Sequence, residues 1–207
     1  MHPMTLRRCS ALLCLAWLVG CATPVVQLRG EHPTVPRLQA DRVVASDGAV
    51  LPLSVWQPHG APRAVVLALH GFGDYRQAFA EVGPFLAERG IATYAYDQRG
   101  FGATAQRGIW PGSARLVDDA RTVAALLRQR HPGLPLYLLG ESMGGAVAMS
   151  LLADTPDAAD GAALVAAAVW GRATMNPLQR GALWLLAHSF PGWRLTSRGL
   201  GITAVRG

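Results

Sequence analysis

The sequence predicts an α/β fold, one domain with a mostly parallel central sheet and helices on both faces. Three observations carry that prediction. The apolar runs AVVLALH (64–70) and IATYAYD (91–97) are continuous rather than alternating, as in strands buried on both faces. Segments of helical period lie between such runs, so strand and helix alternate along the chain. With 207 residues and 51% hydrophobic content, the chain can bury one sizeable core, which excludes a disordered chain.

The N-terminus has the pattern of a targeting segment. Arg7 and Arg8 precede the apolar run CSALLCLAWLVG (9–20), which ends at small residues and Cys21. Twelve residues are too few to span a bilayer, which needs about 20. LVGC (18–21) resembles the bacterial lipobox, in which the signal peptide is removed and the cysteine becomes the lipidated first residue. The resemblance implies a signal peptide over 1–20 and a body anchored through Cys21 to a membrane of the bacterial cell envelope, at its periplasmic face. Cleavage would remove Cys9 and Cys14, leaving Cys21 as the sole cysteine and excluding intrachain disulfides and cysteine-based metal sites. Residues 22–40 contain three prolines and no periodic pattern, so 21–41 is expected to be a tether or an extended lead-in to the core.

The core is expected over 42–170. RVVASDGAVLPLSVWQP (42–58) holds two β-rich runs around Asp47-Gly48, a short-range hairpin signal. RQAFAEV and PFLAERG predict helical turns broken at Gly83-Pro84, with Gly90 at the end of the second. SARLVDDARTVAALLRQR (113–130) predicts a helix with Ser113 as N-cap, a core stripe of Leu116, Ala120, Val123, Ala124 and Leu127, and a stop at His131-Pro132-Gly133. LPLYLLG predicts a strand, MGGAVAMSLLAD a helix, and AALVAAAVW (162–170) a further strand. No internal repeat or second domain boundary is visible.

Charge excludes one class of partner. The formal net charge is +6, yet every basic side chain is arginine and the arginines are scattered, so a nucleic-acid surface is not expected. Loss of residues 1–20 would lower the charge to +4.

The chemistry concentrates in GESMG (140–144), which fits G-x-S-x-G in its strand, sharp turn, helix context. A nucleophile at Ser142 would stand in a strained turn at the carboxyl end of the sheet. Side chains at 140 and 144 would meet neighbouring backbone there, hence Gly140 and Gly144. The turn also sets the start of a helix beside the serine, so the Met143 N–H can face a developing oxyanion. HGFGD (70–74), after the strand 64–70, supplies the candidate second donor, the Phe72 N–H, with Gly71 before it. Glu141 is expected to point away from the nucleophile and His70 to anchor its loop. His32, His59 and His131 fall in predicted loops as solvated side chains.

Taken together, HGFGD, DQRGFG (97–102) and GESMGG resemble the HG-x-G, D-x-R-G-x-G and G-x-S-M-G-G segments of the α/β-hydrolase superfamily, in its monoacylglycerol lipase, lysophospholipase and serine aminopeptidase group. The resemblance covers residues 42–170. It implies the α/β-hydrolase fold, a serine hydrolase that needs no cofactor, and a small lipid-like carboxylic ester as substrate. It also implies that Ser142 is the nucleophile and that the amides of Phe72 and Met143 are the oxyanion donors. Asp97, Arg99, Gly100 and Gly102 match a loop assigned no chemistry.

A serine hydroxyl also needs a histidine oriented by a carboxylate, in the order Ser, Asp or Glu, His. After Ser142 the acids are Asp154, Asp157 and Asp160, and the one histidine is His188. The aspartates fall at or beyond the end of the helix after Ser142, roughly 18 Å away at 1.5 Å per residue. His188 lies in the Trp-containing segment TMNPLQRGALWLLAHSFPGW, expected within 171–207 as the start of a helical cap. The triad acid and histidine are therefore expected on later strands that are missing before Gly207. The chain is thus expected to be the N-terminal part of such an enzyme. The alternatives are a non-catalytic envelope binding protein on the same scaffold and a serine aminopeptidase of the same group.

Overall fold

The computed structural model describes residues 25–28, 30, 32–169, 171 and 174–189. Two compact units divide at Val25/Val26 and Val169/Trp170, and the larger, Val26–Val169, contains the sheet. Cys21 and the signal segment lie outside the described residues.

Among the described residues the sheet has seven strands: β1 (Arg37–Leu38), β2 (Arg42–Val44), β3 (Val50–Trp56), β4 (Ala64–Leu69), β5 (Ile91–Tyr96), β6 (Leu136–Glu141) and β7 (Gly161–Val165). Their spatial order is β1-β2-β3-β5-β4-β6-β7. The ladders β5–β4, β4–β6 and β6–β7 are parallel, while β1, β2 and β3 join antiparallel at the β5 side. β4 lies between β5 and β6, so the chain leaves β4 toward one side and returns on the other. That reversal opens a crevice at the carboxyl ends of β4 and β6.

All six residues of β4 are buried, and the strand's period of two sorts them. Val65, Leu67 and Leu69 pack in a cluster with the long helix α2 (Ser113–Arg130) and with α3 (Met143–Asp154). Val66 and Ala68 pack instead with Phe79 of a 3₁₀ turn (Arg76–Phe79) and with Leu86 of α1 (Val82–Ala87). The continuous apolar run therefore serves two helix layers. The expected stripe of α2 is buried in full, joined by Val117 and Asp119.

Several boundaries differ from expectation. Ser113 is the first helical residue and Gly112, at φ 91°, is the cap. Pro84 lies inside the first turn of α1, where N–H groups have no intrahelical acceptor, so Gly83-Pro84 does not break it. The last strand stops at Val165, because Ala166 has φ 46° and turns the chain. Three positions of the stretch read as a tether or lead-in bond to the sheet-bearing unit: β1 pairs with β2, Thr34 N–H donates to Ser46 C=O at 2.9 Å, and Gln27 N–H donates to Trp110 C=O at 3.0 Å. The hairpin at Asp47-Gly48 forms as expected, with φ 80° at Gly48.

Asp47 also joins a buried ion cluster that ties the hairpin to α2. Arg99 binds Asp47 through Nη1 and Nη2 at 2.7 and 2.8 Å, and Asp119 through Nε and Nη2 at 2.6 and 2.9 Å. Each contact is charge-assisted, and the arginine's fork matches both carboxylates. The Arg99 guanidinium holds the Asp47 carboxyl well below its usual range.

The second unit contributes α4 (Pro177–Ser189), the helix expected over this stretch. Its start is a reciprocal cap: Gln179 N–H donates to Asn176 Oδ1 at 2.8 Å and Asn176 N–H to Gln179 Oε1 at 3.0 Å, with Pro177 first in the helix.

Two outcomes follow from the Arg99 cluster. Arg99→Met leaves the Asp119 carboxylate buried and unpaired, and should cost about 3–5 kcal/mol in urea unfolding. The Asp47 contribution is full above the unfolded-chain pKa of about 4 and falls as pH drops toward the lower folded value, because there only the unfolded chain takes up the proton. Asp47→Asn should therefore lose less stability than the parent protein between pH 5 and pH 2, measured by urea midpoint.

Candidate active site

Ser142 follows β6 at the crevice, with φ 49° and ψ −112°. That conformation lies outside the regions open to L-residues and costs on the order of 1–3 kcal/mol. Neighbouring backbone holds it on both sides. Ser142 N–H donates to Val165 C=O at 2.9 Å, and its own carbonyl accepts from Ala168 N–H at 2.9 Å and Ala146 N–H at 3.1 Å. The end of β7 and the start of α3 thus grip the turn.

The glycines make the close approach possible. A Cβ at Gly140 would stand 2.6 Å from Gly144 O and from Gly145 Cα. One at Gly144 would run into the Leu69 carbonyl at the end of β4, and one at Gly145 would stand 2.7 Å from Ala167 Cβ. Gly71 also approaches the serine, its added Cβ falling 3.4 Å from Ser142 Cβ, an ordinary contact. Met143 is the first residue of α3, so its N–H has no intrahelical acceptor and stands beside Ser142 at the positive end of the helix dipole. The Gly71-Phe72 segment and the Met143 amide therefore border Ser142 from adjacent strands.

His70 is fully buried under that loop. Gln98 N–H donates to its Nε2 at 3.0 Å, so Nδ1 carries the proton and donates to Gly71 C=O at 2.8 Å. Burial lowers its pKa, which keeps the ring neutral. Its ring nitrogens hold the Gly71 loop and the start of the Asp97 loop together. Asp97 organises the rest of that loop, accepting from Arg76 N–H at 2.8 Å, Arg76 Nη1 at 2.6 Å and Ala103 N–H at 2.7 Å.

Beside Ser142 lies a cavity of about 320 Å³ walled by Phe72, Trp110, Leu116, Val117, Met143 and Val147. That volume is at the small end of ligand pockets, and among the described residues no charged side chain lines it. A different cavity of about 390 Å³ lies by Gln27, Asp47 and Arg99, where both charged groups are engaged with each other.

The remaining titratable candidates of the sheet-bearing unit stand apart from Ser142, and His188 belongs to the other unit. Asp160 accepts from Leu136 N–H at 2.7 Å and Arg128 at 2.8 Å, at the start of β6, while Ser142 follows its end. Six strand residues separate them, about 20 Å. Asp154 pairs with Arg121 at 3.5 Å at the far end of α3, and Asp157 is exposed beyond it. Glu141 is exposed and lines no part of the cavity. His188 donates Nδ1–H to Trp184 C=O at 2.7 Å and stacks on its indole, within its own helix. His32 and His59 are exposed, but His131 is not simply solvated: its Nε2 meets Tyr94 OH at 2.8 Å, at the end of α2. Sequence reasoning missed Trp110, which sits in an irregular loop with no periodic signal. It also missed Val147, whose i, i+4 spacing from Met143 was the available clue.

A strained serine between a parallel strand and a helix, at the point where strand order reverses, defines the α/β-hydrolase fold. The family model described as serine aminopeptidase, S33 matches residues 60–206, and the chain belongs to that family. The chain is 27% identical over 174 residues to mouse monoglyceride lipase, covering 84% of this chain and 56% of that one. It is 28% identical over 146 residues to a monoacylglycerol lipase of Mycolicibacterium smegmatis, covering 70% and 52%. A soluble variant of monoglyceride lipase from Saccharomyces cerevisiae, solved with a substrate analog, superposes with TM-score 0.60 at 25% identity, over 80% of this chain and 56% of that one. The chain thus spans about half the length of the curated relatives it matches.

The packing of the turn predicts a contrast between two glycines. Gly144→Ala should destabilise the fold by about 3 kcal/mol, since the added methyl meets backbone that cannot move aside. Gly71→Ala, with only van der Waals contact, should cost about 1 kcal/mol or less. Thermal unfolding of the two variants compares them directly.

Proposed function

We propose that this chain carries the nucleophile of a serine hydrolase acting on carboxylic esters of lipid type, such as a monoacylglycerol or lysophospholipid. The observation that carries this reading is Ser142, held in a strained conformation at the switch point beside an apolar cavity. In the proposed reaction Ser142 Oγ attacks the ester carbonyl while its proton passes to a histidine. The Phe72 and Met143 amides take the charge of the tetrahedral oxygen, the alcohol leaves with a proton, and water then cleaves the acyl-enzyme. His70 cannot be that base, because both ring nitrogens hold loops. Asp154 and Asp160 are likewise paired elsewhere.

The apolar wall favours an acyl group over a peptide. A free α-ammonium, as an aminopeptidase substrate presents, calls for a nearby carboxylate, and none lines the cavity among the described residues. Monoglyceride lipase relatives support the same choice. Cys21 is proposed as the lipidated first residue of an envelope-anchored protein. The second reading is a non-catalytic acyl-binding protein, favoured by the engagement of Asp154, Asp160 and His70 away from Ser142.

A serine-directed fluorophosphonate probe separates the two readings. Labelling of the parent protein that disappears in Ser142→Ala supports the hydrolase. Equal labelling of both removes Ser142 as nucleophile, and no labelling of either favours the binding protein.

A further inference from the structure

We infer that Gln27 is a positioning residue for the Ser142 cavity. It clamps the loop that carries Trp110, so a residue ahead of the sheet sets the wall against which an acyl group would lie. The acyl contact rests on the ester hydrolysis proposed above; the clamp does not.

Between β5 and α2 the chain runs through residues 97–112 without helix or strand. Connections longer than about 12–15 residues without regular structure are uncommon in compact domains, and an ordered one is usually functional. The first part of this loop is held by Asp97 and by itself. Ala103 N–H donates to Asp97 Oδ2 at 2.7 Å, and Gly108 N–H closes on Gly100 C=O at 2.8 Å. At Trp110 the backbone partner, among the described residues, is Gln27. Its N–H donates to Trp110 C=O and its Nε2 to Ala105 C=O, each at 3.0 Å. Two bonds from one residue to separate carbonyls fix the angle of the loop as well as its position, which a single bond would not do.

The Gln27 side chain is poorly suited to stability alone. It is only 6% exposed, and its Oε1 meets no hydrogen-bond donor among the described residues. Burying an amide with one end unpaired carries a desolvation cost that methionine, of similar length, would not. What the amide adds is the Nε2–H donor, and that donor is directed at the loop. The loop in turn gives the cavity one wall, Trp110, whose ring stands 6.4 Å from the Phe72 ring beside Ser142. Release of the clamp would free Trp110 to leave the wall. Ser142 would stay in place, because Val165, Ala168 and Ala146 grip it independently of the loop. An acyl chain would then bind more weakly while the reacting groups keep their geometry, which raises KM and leaves kcat near its parent value.

Gln27→Met and Gln27→Glu both remove the Nε2 donor at nearly constant length. Hydrogen exchange of the full chain, read by mass spectrometry, should show the amides of 103–112 exchanging several-fold faster in both variants, with those of α2 unchanged. With nitrophenyl esters, KM for the octanoate should rise about 3- to 10-fold and kcat should stay within about twofold, with a smaller KM change for the acetate, which is too short to reach Trp110. In a Trp110→Ala background, where the wall is already gone, Gln27→Met should add nothing to KM. Unchanged exchange in 103–112 overturns the clamp. Equal losses on the two esters, a fall in kcat with KM unchanged, or additive effects of Gln27→Met and Trp110→Ala overturn the positioning role, since a merely destabilised protein loses active fraction for every substrate. If the parent hydrolyses neither ester, the hydrolase reading fails on its own, and decan-1-ol binding by calorimetry decides the role of Gln27. Weaker binding in Gln27→Met, with no such difference in the Trp110→Ala background, supports it; equal binding, or none by the parent, ends it.

Discussion

The site depends on one steric condition, the contact of α3's first turn with the end of β4. Gly144 lies against the Leu69 carbonyl with no room for a methyl group, and Gly140 lies as close to Gly144 and Gly145. That contact sets how sharply the chain turns between β6 and α3, and therefore where Ser142 stands. Strain at Ser142 is sustained because the two strands and the helix it joins are each fixed by other forces. β6 pairs with β4 and β7, and α3 is buried through Met143, Val147, Ala148 and Leu151. The burial of these apolar residues exceeds the local cost, which is how a folded domain can hold a strained residue.

Around that turn, polar groups position loops rather than titrate. His70, Asp97 and Arg99 all follow strands at the carboxyl end of the sheet, where reactive groups are usually sought, yet each is saturated by hydrogen bonds. His70 stays neutral because Gln98 N–H occupies the nitrogen that a proton would need. Among the described residues the result is an uncharged lining beside Ser142. In the proposed reaction the Phe72 and Met143 amides would meet the developing charge in a lining that holds no ionised side chain among the described residues.

Legibility in the sequence followed the range of the interaction. The two-faced burial of β4, the stripe of α2, the hairpin at Asp47-Gly48 and the elbow glycines are imposed by period, local conformation or close contact. Each leaves a mark within a few residues. The ion cluster does not: Asp47, Arg99 and Asp119 are separated by 52 and 20 positions, and nothing local tells Asp119 from an ordinary acid near a helix start. Gln27 is harder still, since it lies in a proline-containing stretch without periodicity and is bonded 78 positions away. Trp110 has the same difficulty, being placed by a loop whose shape depends on Arg99, Asp97 and Gln27 together.

The sequence by itself determined the α/β class, the order of its main strands and helices, and the glycine-flanked turn that carries Ser142. These are consequences of backbone sterics and hydrophobic period, which act along the chain. Only the tertiary structure decided that Gln27, Thr34 and the Arg37–Leu38 strand bond to the sheet-bearing unit, and that β7 ends at Val165 and hands Ala168 to the serine carbonyl. Those facts depend on which strands become neighbours. Strand order follows from packing two helix layers on one sheet and is written in no local stretch of the chain.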